Sequence, residues 1–152
     1  MYQIREATRD DIPAALELIH EFQQEALDSY SLFCNDGRAV ELMKAVYDNA
    51  LVMEYVEDAA IQGKIVGVIA GMIGASMVST DPVMQELIFF ISKEHRKHGT
   101  ELLKRFERMA KDRGCKHVLM VFMGELRREV MERYYRGQGY RLLECQYIKC
   151  LQ

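Results

Sequence analysis

The chain has little of what would mark a disulfide-rich, membrane-spanning or zinc-binding protein. It contains two prolines and four cysteines, and the cysteines form neither a C-x-x-C pair nor another zinc-binding spacing. The longest weakly charged stretch, residues 65–80, is rich in glycine and too short to span a bilayer. The N-terminal residues lack the apolar core of a signal peptide. These absences favour a cytoplasmic protein with reduced thiols and no membrane partner.

The length and composition predict a single domain. A chain of 152 residues buries roughly two-thirds of its unfolded surface and leaves no room for a second core. Hydrophobic residues make up 49% and charged residues 28%, which excludes disordered and collagen-like classes. We therefore expect one globular domain over residues 1–152.

Charge is distributed unevenly along the chain although the net charge is only −3. Residues 1–62 hold 4 Lys and Arg against 13 Asp and Glu, whereas residues 93–116 hold 9 against 4. An acidic region and a basic segment indicate two surfaces that meet ligands of opposite charge. Uneven charging of solvated helix faces explains the same counts equally well.

Hydrophobic periodicity predicts ten elements in the order βααβββαβαβ. Thr8 and Asp11 have the spacing of a capping box before the first helix, and Gly114 suits the end of the third. Glycines 67, 71 and 74 indicate a bulge or a close backbone approach. The predicted strands cover residues 2–8, 51–56, 65–73, 87–91, 118–123 and 140–150, and the predicted helices begin near residues 12, 38, 99 and 125.

This order predicts an α/β (α+β) domain of three layers, with a mixed central β-sheet flanked by helices. The strand at residues 87–91 is the most continuously apolar and belongs in the sheet interior. The strand, long helix and strand of residues 86–123 require a right-handed parallel crossover. The antiparallel pair of residues 51–56 and 65–73 forms a hairpin.

A basic turn joins the apolar strand to the long helix. It contains Lys93, Arg96, Lys97 and His98, followed by Gly99. Unpaired backbone amides at a helix start attract anions, so this turn suits a phosphate or pyrophosphate. A solvated turn without a specific ligand is the alternative on these residues alone.

The chain resembles the GNAT superfamily of N-acetyltransferases in the order of its motifs. The acetyl-CoA motif of that family, V-x-P-E-Y-R-G-x-G-x-G-x-x-L-L, is matched at its start by Ile91-Ser-Lys-Glu-His-Arg96 and at its end by Gly99-Thr-Glu-Leu-Leu103. Tyr135-Arg-Gly-Gln-Gly-Tyr140 resembles the closing Y-x-x-x-G-F/Y element. Between Arg96 and Gly99 the chain is two residues shorter than the family pattern, which leaves fewer backbone donors for a pyrophosphate.

The resemblance implies transfer of an acetyl group from acetyl-CoA to a primary amine. It places Tyr135 as the acid that protonates the leaving thiolate, with Tyr134 or neither as alternatives, and Glu86 as the base, with an ordinary strand-edge carboxylate as the alternative. On the spacing of the helix, Leu126, Val130 and Tyr134 should face the core and Tyr135 the cleft. The implied cofactor-binding residues are Phe89, Phe90, Ile91, Arg96, Lys97, His98, Gly99 and Thr100.

The acceptor site implied by the family lies between the first two helices, the loop that joins them and the last strands. Glu25, Asp28, Tyr30 and Phe33 are the candidate residues, and their acidic surroundings suit a cationic amine, although acidic surface for solubility explains the same charges. His95, His98 and Glu101 share a helix face but lack a fourth partner, so no metal site is predicted. Cys34, in a polar loop, is the only one of the four thiols expected to be reactive.

The family resemblance also implies a homodimer. A non-catalytic GNAT-like binding or regulatory module is the alternative to an enzyme, because the basic turn is short. Nucleic acid is not expected as a partner, because the basic segment surrounds a helix with an apolar face and lacks interleaved aromatic residues.

Overall fold

The computed structural model describes residues 1–28, 32, 34–58, 63–76, 79–124 and 126–151. The strands in these ranges form one sheet in the order β1-β2-β3-β4-β5. Neighbouring strands are antiparallel except β4 and β5, which are parallel. The mixed sheet and the parallel pair after a helical crossover are therefore confirmed. The strands are β1 (Tyr2–Glu6), β2 (Ala50–Tyr55), β3 (Lys64–Ser76), β4 (Ser79–Ile91) and β5 (His117–Leu119).

The helices lie close to their predicted positions. They are α1 (Ile12–Phe22), α2 (Asp36–Val46), α3 (Gly99–Asp112) and α4 (Arg128–Gly137). The capping box forms, with the Thr8 amide donating to the Asp11 carboxylate at 2.7 Å. Gly114 has φ +82° and ends α3, because the amide of Cys115 donates to the Ala110 carbonyl across this turn.

The helices cover both faces of the sheet, which confirms the three layers. Ala15 and Leu18 of α1 pack on one face, against a group of residues that includes Val52 and Val68. Leu102, Leu103 and Phe106 of α3 are fully buried on the other face with Met53, Ile69 and Met84. Each such side chain contributes about 1.5–3 kcal/mol by leaving water, so these two contact areas hold the layers together.

A bulge interrupts the pairing of β3 and β4. Ala70 is opposite Ile88 and Gly71 is opposite Glu86, so Leu87 is the extra residue. A Cβ on Gly71 would lie 2.8 Å from the Gln85 carbonyl oxygen, which confirms a close backbone approach at this glycine. The bulge shifts the side-chain alternation of β4 by one residue and sets the orientation of Glu86.

The two parallel strands separate soon after they begin. Val83, Met84 and Gln85 pair with the three residues of β5, and β4 then continues to Ile91 with no described strand on that side. Sequence periodicity predicted a strand over residues 118–123, but the described strand ends at Leu119. The described pairing of β4 with β5 thus ends at Gln85 and Leu119, which leaves an opening between β4 and the chain that follows β5.

The predicted strand over residues 140–150 is wrong. After Gly139, which has φ +89°, residues 141–151 are exposed and form no strand. The physical reason is that β5, the last strand of the sheet, is only three residues long and offers too few backbone partners. Leu143 and Tyr147 are 73% and 99% exposed as a consequence.

None of the helices in the described part of the chain is long and apolar enough to cross a bilayer. The four cysteines, all of which are described, form no disulfide.

Candidate active site

Glu86 is a buried carboxylate in the opening between β4 and β5. It is only 3% exposed, and its Oε2 accepts a hydrogen bond from the Val121 amide at 3.0 Å. Burial raises the pKa of Glu86 to about 7, while the bond from Val121 opposes the shift. A carboxyl group with this pKa exchanges protons readily at neutral pH, which suits a general base.

Tyr135 reaches the same backbone residue from α4. Its hydroxyl donates to the Val121 carbonyl at 3.2 Å. Burial raises its pKa first, followed by the negative charge of Glu86, so the hydroxyl keeps its proton. Two titratable groups thus bond to the backbone of Val121. Glu86 can accept a proton near neutral pH, and Tyr135 can donate one.

The expected orientation of α4 is wrong in part. Tyr135 is 7% exposed and belongs to the main core cluster, whereas Val130, expected in the core, is 53% exposed. Tyr135 points inward, where its hydroxyl bonds to the Val121 carbonyl. Tyr134 is half-buried beside it, with ring centroids 5.5 Å apart, and its hydroxyl has no hydrogen-bond partner among the described residues.

Beyond Gln85, the edge of β4 that faces away from β3 has no described strand beside it. The amide of Ser92 donates to the Val66 carbonyl, so it points toward β3. Because amides alternate in direction along a strand, the amide of Phe90 also points to β3, and those of Phe89 and Ile91 point to the opening. Of the predicted cofactor-binding residues Phe89, Phe90 and Ile91, only Phe89 and Ile91 are therefore candidate backbone donors.

The basic turn is a 3₁₀-helix, Lys93–His98, that runs directly into α3. Its amides are partly used within the turn: that of His95 donates to Ser92, and that of Gly99 to Arg96. The predicted anion site is thus more closed than a helix start with unpaired amides. A Cβ on Gly99 would lie 3.2 Å from Ile91, so the glycine allows α3 to approach β4.

Arg96 and Glu25, predicted to bind different ligands, form an ion pair with each other. Arg96 also donates from Nε to the Ile91 carbonyl at 3.1 Å, and its guanidinium holds the pKa of Glu25 below the usual range. The end of α1 is therefore tied to the turn before α3. Part of the opposite charge in the two halves of the chain is neutralised within the protein.

The other residues of the turn point in different directions. The ring of His98 packs on Tyr2 with centroids 3.7 Å apart, and the Tyr2 hydroxyl hydrogen-bonds with Nδ1 of His95 at 2.9 Å. Both histidines thus face β1, and they form no metal cluster with Glu101 in the described part of the chain. Lys97 is exposed and Thr100 half-buried at the start of α3.

The region expected to bind the acceptor contains an apolar cavity of about 210 Å³ between α1, α2 and the sheet. Its lining includes one carboxylate, Asp11, which accepts two hydrogen bonds of 2.7 Å from Arg5. Asp28 is exposed at the end of a π-helical turn that extends α1. Tyr30 and Phe33 lie outside the described residues. Sequence patterns gave no sign of the cavity, because its apolar lining has the same spacing as ordinary helix packing.

Comparisons with known proteins identify the same family and fold. A model of the acetyltransferase (GNAT) family matches residues 19–140. No curated relative matches the sequence.

Solved structures of low sequence identity share the fold over nearly the full length of both chains. Glucosamine-6-phosphate N-acetyltransferase from Arabidopsis thaliana has a TM-score of 0.70 at 16% identity, covering 100% of this chain and 99% of the other. An acetyltransferase from Trypanosoma brucei has a TM-score of 0.69 at 16% identity, covering 99% and 100%. The aminoglycoside N-acetyltransferase AAC(6')-Iy in complex with CoA has a TM-score of 0.72 at 13% identity, covering 99% and 94%.

Proposed function

The chain belongs to the GNAT family of acetyltransferases, and on that premise we propose that it transfers an acetyl group from acetyl-CoA to a primary amine. The observation that carries the proposal is the convergence of Glu86 and Tyr135 on the backbone of Val121. Acyl transfer to an amine requires a base, an acid and donors for the developing oxyanion. The proposal assigns these roles to Glu86, Tyr135 and the amides of Phe89 and Ile91.

The residues around the opening fit acetyl-CoA as the donor substrate. The amides of Phe89 and Ile91 are directed away from β3 and are the proposed donors to the acetyl oxygen. Arg96, Lys97, His98, Gly99 and Thr100 are the proposed phosphate-binding residues, with exposed Lys97 the most accessible cation among them. When bound, acetyl-CoA supplies the activated thioester.

Each proposed catalytic group has one task. Glu86 takes a proton from the attacking amine, directly or through water, as the new C–N bond forms. The amides of Phe89 and Ile91 stabilise the negative charge on the acetyl oxygen. Tyr135 gives its proton to the thiolate as the C–S bond breaks. Glu86 thus gains a proton and Tyr135 loses one, and both exchange with solvent before the next turnover.

We propose a cationic acceptor, on a small molecule or a protein. Support comes from the excess of Asp and Glu over Lys and Arg in residues 1–62 and from the exposed carboxylate of Asp28. Glu25 contributes less negative charge, because it forms an ion pair with Arg96. Two N-acetyltransferases that share the fold are named for amine-bearing compounds, an aminoglycoside and glucosamine-6-phosphate. The apolar cavity gives room for an uncharged part of the acceptor.

A second candidate function is a GNAT-like module that binds a ligand without catalysis. The observation that favours it is the closed 3₁₀-turn, in which the amides of His95 and Gly99 are already used and Arg96 is paired with Glu25. Such a turn binds a pyrophosphate with fewer backbone donors.

We also propose a homodimer formed through the C-terminal segment, residues 141–151. This segment exposes Leu142, Leu143, Tyr147, Ile148 and Leu151 together, an apolar surface that a second copy would cover. In sedimentation experiments wild type should be a dimer and Leu143→Asp a monomer. A monomeric wild type at tens of micromolar would contradict this arrangement.

Thermal stability with and without acetyl-CoA, followed by turnover measurements with amines, separates the two candidate functions. The enzyme proposal predicts a rise in Tm that grows with ligand concentration, because a ligand of the folded state alone stabilises it. No rise at millimolar acetyl-CoA would contradict the enzyme proposal. A rise without turnover of any amine would favour the binding module.

A further inference from the structure

The fold brings a histidine, a cysteine and an aspartate together at one end of the α1–α2 pair, a cluster that the proposed acetyl transfer does not use. Nε2 of His20 lies 2.7 Å from Oδ1 of Asp36, and Sγ of Cys34 lies 3.8 Å from the same oxygen. All three ligand atoms lie within 4.8 Å of one another. Around a tetrahedral zinc ion, neighbouring ligand atoms are separated by about 3.3–3.7 Å, so small side-chain movements suffice to match it.

The backbone around the cluster is held in place by hydrogen bonds from other residues. Gln23, one turn after His20 along the helical axis, accepts a bond from the Cys34 amide at 2.7 Å. The Asn35 side chain accepts from the Arg38 amide at 2.9 Å and caps α2, which fixes Asp36 in its first turn. Supporting contacts of this kind orient the ligands of metal sites.

The three side chains are accessible to an ion from solvent. The His20 and Asp36 side chains are 44% and 61% exposed, and Cys34 is half-buried at the lining of the apolar cavity. Burial, followed by the nearby Asp36 carboxylate, raises the pKa of the Cys34 thiol.

We propose that His20, Cys34 and Asp36 bind a zinc ion, with water as the fourth ligand. Imidazole nitrogen, thiolate sulfur and carboxylate oxygen are the donor types that Zn²⁺ takes in proteins. Binding replaces the thiol proton of Cys34, which is released to solvent. The ion would join the end of α1 to the start of α2 at the rim of the cavity. This proposal does not depend on the acetyl-transfer proposal.

The test is a titration of the metal-free protein with Co²⁺ under anaerobic conditions, followed by displacement with Zn²⁺. Wild type should develop a thiolate-to-cobalt charge-transfer band that saturates at one equivalent and disappears when Zn²⁺ is added. Cys34→Ser should lack the band, and His20→Gln should weaken binding at least tenfold. Cys145→Ser is the matched control, because Cys145 is exposed and distant in sequence, and it should keep the band.

Two results would overturn the zinc site. One is the absence of the band in wild type, which would leave a hydrogen-bonded His20–Asp36 pair beside an ordinary thiol. The other is a band that persists in Cys34→Ser, which would place the metal on another cysteine. Circular dichroism tests whether each variant is folded. If a variant does not fold, the wild-type titration still decides whether the zinc site exists.

Discussion

Glu86 and Tyr135 are joined through one residue: the carboxylate of Glu86 accepts the amide proton of Val121, and the hydroxyl of Tyr135 donates to the carbonyl of Val121. Val121 lies beyond the end of β5, where the chain has left the sheet. The separation of β4 and β5 thus creates the space for both side chains and supplies the peptide groups that position them. Burial raises the pKa of Glu86 to about 7, so this carboxyl group can take up or release a proton near neutral pH.

Replacing Tyr135 with Phe should lower kcat by about 10²–10⁴-fold, because the proposed proton donor is lost. The affinity for acetyl-CoA should be unchanged. Tyr134→Phe is the matched control: its hydroxyl has no hydrogen-bond partner among the described residues, so turnover should be retained. Steady-state kinetics and calorimetric binding measure the two quantities. Unchanged turnover in Tyr135→Phe with loss in Tyr134→Phe would transfer the acid role to Tyr134.

Glu86→Gln should remove a limb of the pH–rate profile. In wild type, kcat/KM should rise with pH and level off above about 7, where Glu86 becomes ionised. The variant should be slow and should lack this limb. Glu54→Gln is the control, because Glu54 is another buried carboxylate on a strand, 8% exposed and paired with Arg5. This variant should be less stable than wild type but should keep the rising limb of the pH–rate profile. If the rise of kcat/KM with pH persists in Glu86→Gln, another residue is the general base.

The same group should make the folded state sensitive to pH. The pKa of Glu86 is raised in the folded protein from 4.5 to about 7, so its stabilising neutral form is fully present below 4.5 and lost as pH rises to about 7. Relative to Glu86→Gln, wild type should therefore lose about 3 kcal/mol across that window and stay level above it. Urea denaturation at a series of pH values measures this difference. A difference independent of pH would show that the carboxyl group is not buried as described.

Gly71→Ala should destabilise the fold by about 1–3 kcal/mol, since the new Cβ would meet backbone at the bulge. It would lie 2.8 Å from the Gln85 carbonyl oxygen and equally close to Met84 and Phe106. Gly74→Ala in the same strand is the control, because nothing lies within 4 Å of its Cβ position. That change should be neutral or stabilise by about 0.5–1 kcal/mol. Equal effects in urea denaturation would contradict the close approach at Gly71.

Glu25→Gln should tighten CoA binding several-fold, because Arg96 would no longer be neutralised by its partner. The pair is partly exposed, so the effect should not exceed about 1 kcal/mol. Arg96→Gln should weaken binding, and the double variant should resemble Arg96→Gln alone. Calorimetric titration with CoA measures all four proteins. An effect of Glu25→Gln that persists without Arg96 would mean that the ion pair does not control the basic turn.

Local patterns predicted most of the architecture. The apolar stripe of α3, with Leu102, Leu103 and Phe106, repeats at helical spacing and is buried as expected. The glycine-rich β3 predicted a close approach, and Gly71 forms it. These features depend on residues near one another in the chain, which a single sequence displays directly.

The features that were missed depend on contacts between distant residues. The pairing of Glu25 with Arg96 joins positions 71 residues apart, and neither the charge counts nor the motif order contains it. The final strand was predicted from the apolar pattern of residues 140–150, but a strand also needs a partner edge, and β5 is too short to provide one. Tyr135 faces inward because it bonds to Val121 and packs near Phe122, and a helical period does not reveal these contacts.

The measurement that tests the central claim most directly is the release of free thiol from acetyl-CoA in the presence of amines. The panel should include a polyamine, an aminoglycoside, a lysine peptide and a peptide with an unblocked N-terminus, with product mass measured in parallel. The account predicts amine-dependent thiol release matched by an acetylated product, and its loss in the Glu86→Gln, Tyr135→Phe double variant. Stabilisation by acetyl-CoA with no thiol release from any amine, or equal release by the double variant, would contradict it.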